Sequence, residues 1–217
     1  MSTVVTEQVG ASADDCSYHW NGSAWVWSTN PWQAGAGWKW TADLEKIGAG
    51  FRFQTVAVPN AATIITAYLT ITAKFSTAGT VCNTKIRGED TDDAAAFSTE
   101  ANYQGRHEVW TPGACTTAVV SWNAIDAWTA ETEYNSPEIK TIIQEIVDRG
   151  GWATGQDMVL FWDDHDDLTD HNWDAWRCGY DYDQTAAKAA KLYIEYEVAA
   201  IGACVQTVTS HLAAMRR

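Results

Sequence analysis

Residues 51–73 read Phe51-Arg52-Phe53-Gln54-Thr55-Val56-Ala57-Val58-Pro59-Asn60-Ala61-Ala62-Thr63-Ile64-Ile65-Thr66-Ala67-Tyr68-Leu69-Thr70-Ile71-Thr72-Ala73, and their pattern decides the fold class. Phe51, Phe53, Val56 and Val58 approximate a period of two. After the Pro59-Asn60 break, Ile65, Ala67, Leu69, Ile71 and Ala73 repeat it on one face, with Thr66, Tyr68, Thr70 and Thr72 on the other. Two strands joined at a turn, a hairpin, are expected. Alternation with a half-polar face suits an antiparallel sheet that meets a core on one side and water on the other. The expectation is an all-β sandwich, a scaffold that binds and builds more often than it catalyses.

Working outward, Val4 to Ala13 reads as an opening strand closed by Asp14-Asp15. The segment from Asp15 to Trp40 carries Trp20, Trp25, Trp27, Trp32, Trp38 and Trp40 among Gly, Ser and Asn, the dress of strands and loops rather than of a helix. Further strands are expected at Val81 to Gly88, Thr116 to Trp122, Met158 to Trp162 and Lys191 to Val198, with a short one at Gly179 to Asp183. In the last long strand Leu192, Ile194, Tyr196 and Val198 share one side. The exception to β patterning is residues 137–149, a short amphipathic helix. Ser136 is placed to cap it, Pro137 suits its first position, and Ile139, Ile142, Ile143, Ile146 and Val147 fall on one face before Gly150-Gly151. Residues 199–217 form a C-terminal tail in which Ile201, Val205, Val208 and Leu212 recur at helical spacing, although β-branched Thr207, Val208 and Thr209 weaken a helix there.

At 217 residues without a Pro/Gly/Ser-rich linker, the chain is read as one domain, 1–198, followed by the tail, 199–217. No apolar run approaches the roughly 20 residues of a membrane span, so membrane insertion is not expected. With 28 acidic against 14 basic side chains the formal charge is −14, which opposes nucleic-acid phosphates and anionic lipid. The five cysteines show no CxxC spacing, which argues against zinc fingers and redox pairs and leaves buried free thiols as the simplest reading. The N-terminus has neither a basic nor an apolar signal region, so residence at the site of synthesis or packaging into a particle is expected.

Several stretches carry a family resemblance: Val9 to Asp15, Phe51 to Pro59 with Asn60 to Ile64, Ala67 to Ile71, Val120-Ser121-Trp122, Trp128 to Asp148, and Lys191 to Tyr196. Over residues 8–198 the chain resembles jelly-roll β-sandwich modules of the galactose-binding-like kind, particularly the DNRLRE-type domains of bacterial surface proteins and their relatives in tailed-phage virions. The resemblance implies a jelly-roll sandwich and non-catalytic use on cell envelopes, secreted enzymes or virus particles. It also implies a structural calcium in some members.

Three kinds of chemistry remain open on the residues. Trp20, Trp25, Trp27, Trp32, Trp38 and Trp40 can stack on sugar rings or anchor an interface, and they can equally fill a core. Asp163, Asp164, Asp166 and Asp167 supply hard oxygen ligands for calcium, and they can equally be solvated loop carboxylates. There is no HExxH, no GxSxG and no glycine-rich phosphate loop, so no enzyme activity is expected. The reading is a non-enzymatic structural protein of a tailed-phage virion, a capsid decoration or tail-associated protein. Its partners would be other virion proteins or itself, through Ile201, Val205, Val208 and Leu212. The alternative is a carbohydrate-binding module that meets a cell-surface glycan with exposed tryptophans.

Overall fold

The computed structural model describes residues 1–20, 23–29, 34–39, 45–78 and 81–199. Twelve strands among them form two antiparallel sheets. They are β1 (Thr3–Gln8), β2 (Asp15–Trp20), β3 (Trp25–Ser28), β4 (Ala34–Lys39), β5 (Glu45–Phe53), β6 (Thr63–Thr72), β7 (Thr84–Glu89), β8 (Cys115–Trp122), β9 (Glu133–Asn135), β10 (Met158–Asp163), β11 (Ala175–Gly179) and β12 (Lys191–Glu197). The smaller sheet runs β1-β12-β6-β9. The larger runs β11-β4-β5-β10-β7-β8, with β2 beside β5 and β3 beside β2. The expected all-β sandwich is therefore present, and its first and last strands lie side by side.

The main core fills the space between the sheets, with Phe51, Phe53, Leu69, Ile71, Ile86, Leu160, Trp162, Leu192 and Ile194 all buried. The larger sheet also buries its other face. There Cys16, Tyr18, Phe97, Tyr103, Val159 and Phe161 make a second core under the segment that holds α1 (Glu100–Arg106). This explains the apolar run Met158 to Trp162: β10 is central, and successive side chains enter opposite cores, so both of its faces must be apolar. β12 lies in the smaller sheet and alternates, because only its inner face is buried.

Residues 51–73 do not form a hairpin. β5 and β6 belong to different sheets, and residues 54–62 cross between them. Backbone bonds between Val56 and residues Gly155 and Gln156, together with left-handed turns at Thr55 and Ala61, carry the crossing. Period-two alternation states that a strand has one wet face and says nothing about which strand pairs with it. A register shift between Glu195 and Tyr196 also puts Ile64 in the core and turns Ile65 outward.

The helix expected at 137–149 is α2 (Lys140–Val147), and Ile139, Ile142, Ile143, Ile146 and Val147 are all buried. Ser136 does not cap it. Its hydroxyl accepts from Leu69 N at 3.0 Å and donates to Pro137 O at 2.8 Å, and the Glu138 carboxylate instead accepts from Lys140 N at 2.9 Å. Two further short helices join it: α1, and α3 (Tyr182–Thr185); of the stretch expected as a strand at 179–183, Gly179 ends β11 and the last two residues open α3. Asp181 caps α3 by accepting from Gln184 N, which commits those residues to a turn rather than to a sheet. Val198 lies past the end of β12 and is exposed rather than buried. No helix among the described residues is long and apolar enough to cross a membrane.

Candidate functional site

On the outer side of the larger sheet, chemistry-bearing side chains converge where β10 ends. The alternation that sends Phe161 into the second core carries on through Asp163 to His165, and α1 delivers Tyr103 and His107 to the same place. His107, Asp163 and Tyr103 are essentially inaccessible, and His165 retains 7% of its surface. Room for the imidazole comes from β5: a side chain at Gly48 would collide with the His165 ring and with Asp163 Cβ.

The polar atoms of this cluster are almost fully paired. His107 Nδ1 accepts from Val109 N at 3.3 Å, so Nε2 bears the proton and donates to Asp163 Oδ2 at 2.9 Å. Asp163 Oδ1 accepts from His165 N at 3.0 Å and, more distantly, from Arg87 Nη1 at 3.3 Å. Arg87 makes its close ion pair with Asp166, which Lys85 also contacts. His165 Nε2 meets the Tyr103 hydroxyl at 3.0 Å, whereas His165 Nδ1 is buried with no hydrogen-bond partner among the described residues.

Burial by itself would raise the Asp163 carboxyl, but His107, His165 and Arg87 beside it hold it well below the usual carboxylate range. Burial pushes His165 down to about 3, so its ring is neutral at physiological pH. Rings wall it in. Trp25, Trp110 and Tyr18 stand edge to face with it at 5.3, 4.9 and 5.9 Å between centroids, and Trp25 stacks on Tyr18 at 4.8 Å.

The tryptophans expected at a binding face divide. Trp38 is buried and stacked on His171 at 3.7 Å. Trp20, Trp25 and Trp27 on the β2–β3 hairpin are half-buried, with Trp25 and Trp27 packed on the second core. Trp20 meets Trp25 edge-on at an interplanar angle of 66°, so the two indoles are not coplanar. Trp32 and Trp40 lie outside the described residues, as do Ile201, Val205, Val208 and Leu212. The four aspartates expected around calcium serve different partners. Asp163 faces His107, and Asp164 accepts from Leu168 N and Thr169 N within its own loop. Asp166 binds Lys85 and Arg87, and Asp167 binds Lys46 and His171.

Sequence reasoning does not single out His107 and Tyr103, since α1 carries no long apolar repeat. One signal is readable: Asp163 and His165 continue, at a spacing of two, a face of the most apolar strand in the chain, where polar groups need buried partners. Compared with known proteins, the chain matches no family model and no curated protein.

Proposed function

We propose that the protein is a non-enzymatic structural component of a tailed-phage virion, a capsid decoration or tail-associated protein that works through protein–protein contacts. The observation that carries this reading is the free edge of β1. Among the described residues β1 pairs only with β12. The bond from Val9 N to Ala190 O sets the phase, so Thr3, Val5 and Glu7 bond toward β12, and Val4, Thr6 and Gln8 turn their backbone groups outward. This six-residue edge has one charged side chain, Glu7, and an exposed apolar one, Val4. Ile65 is also exposed, in the register shift beside Glu195, the residue that pairs with Val4. Unpaired sheet edges with few charges are what stand-alone β proteins blunt and what assembling ones pair.

The non-enzymatic part draws on burial. The His107–Asp163 pair is covered by rings, and burial pushes the Cys82 and Cys115 thiols up to about 12, which removes their nucleophilic form. Light scattering on the intact chain tests the assembly reading, with a defined oligomer expected. Thr6→Pro, which removes an outward N–H and leaves the N–H groups that bond toward β12 in place, should return it to monomer while the chain stays folded. A monomeric parent chain sinks the assembly reading, and absence of the chain from purified particles of the phage that encodes it sinks the virion reading.

A second reading, a carbohydrate-binding module, is favoured by one feature: Trp20, Trp25, Trp27 and Trp110 gather half-exposed on one side of the larger sheet. Soluble polysaccharides would then quench or shift tryptophan fluorescence on titration, and an unchanged spectrum would rule this out.

A further inference from the structure

We propose that His107, Asp163 and His165 form a binding site for one divalent transition metal of the zinc class. Each offers a ligand atom, and these three atoms lie within 4.8 Å of one another. Zinc bonds of about 2.0–2.1 Å place neighbouring ligand atoms roughly 3–3.5 Å apart. The His107 Nε2 and Asp163 Oδ2 pair, at 2.9 Å, is already near that spacing, and the ligand atom of His165 lies within 4.8 Å of both.

The second observation is the unpartnered ring nitrogen of His165. A buried polar atom left without a partner is destabilising, and a metal would relieve it. Its other ring nitrogen is held by Tyr103, the outer contact that orients a metal-bound imidazole. The donor set narrows the ion: two neutral imidazoles and one carboxylate suit zinc, cobalt, nickel or iron(II), whereas calcium and magnesium take oxygen ligands.

Arg87 does not forbid a cation here. Its guanidinium is neutralised by Asp166, and its contacts to Asp163 are long, at 3.3 and 3.4 Å. On loading, the metal takes the place of the proton on His107 Nε2. That proton moves to Nδ1, at the expense of the 3.3 Å contact from Val109 N. Enclosed by Trp25 and Trp110, the ion would brace α1 against the end of β10.

The test starts from the full chain stripped with chelator and titrated with cobalt(II), then zinc. Visible d–d bands saturating at one equivalent, their loss on zinc addition, and a raised melting temperature with zinc are expected. His107→Gln and His165→Gln should each lose the bound equivalent, whereas Asp167→Asn and His171→Gln should keep it. No d–d bands in the parent chain overturns the proposal whatever the variants do. So does a stoichiometry unchanged in both histidine variants, or a melting temperature raised by calcium and not by zinc. If a variant does not fold, the parent cobalt spectrum decides.

Discussion

Asp15 stands at the start of β2 with its side chain fully buried, and only one of its oxygens is satisfied, by Tyr182 N–H at 2.8 Å. Burial first, then the neighbouring carboxylates of Asp181, Asp183 and Asp14, push its carboxyl from 3.8 up to about 8. The folded chain therefore holds a proton that the unfolded chain has released between those values. The stability this group contributes is complete below pH 3.8 and is lost as pH rises through 8. The slope approaches about 1.4 kcal/mol per pH unit within the window. Asp15→Asn keeps an oxygen for Tyr182 and cannot ionise. Its stability relative to the parent should therefore increase steadily from pH 5 to 8 in urea titrations, and a difference that stays flat would remove Asp15 as the cause. The tripeptide Ala13-Asp14-Asp15 announced charge but not this burial, because the neighbouring carboxylates of Asp181 and Asp183 come from more than 160 positions away.

At the scale of elements, α2 and β7 are fitted to each other. A methyl at Gly88 would lie 2.7 Å from Ile146 Cδ1 and 2.8 Å from Ile142 Cγ2, so the glycine lets the helix approach the sheet. Ile146→Ala should cost about 2–5 kcal/mol, and Gly88→Ala about 1–3 kcal/mol, read from urea midpoints. The double variant should cost less than the sum, because the space vacated by Ile146 takes the new methyl. Strict additivity would show that the two do not meet. The buried face of α2 was legible because apolar residues spaced by three and four gather on one side of the chain only when it is helical. Its start was not, because the surroundings redirect the capping groups: Ser136 is drawn to Leu69 N, and Glu138 also accepts from Ala67 N at 2.7 Å. The same holds for β5 and β6, whose alternation was readable while their partners were not.

For the whole molecule, charge acts against compactness. A formal charge of −14 spreads repulsion through a body comparable in size to the Debye length of about 30 Å at 0.01 M salt, and about 8 Å at 0.15 M removes most of it. The melting temperature should rise by roughly 2–4 °C between those salt concentrations, which corresponds to about 1 kcal/mol. A fall instead would mean that pairs such as Arg52–Asp14, Arg106–Glu89 and Arg149–Asp92 outweigh the net repulsion. The class of fold, the helix face, the buried place of β10 and the acidity follow from the sequence, because each rests on periodicity or composition that neighbouring residues express together. The joining of His107 to Asp163 and His165, the two-faced burial of the larger sheet and the place of β1 at the edge of its sheet among the described residues were decided only in the tertiary structure. Each depends on residues 50 or more positions apart, or on which strands pair, and no local pattern encodes a choice of partner.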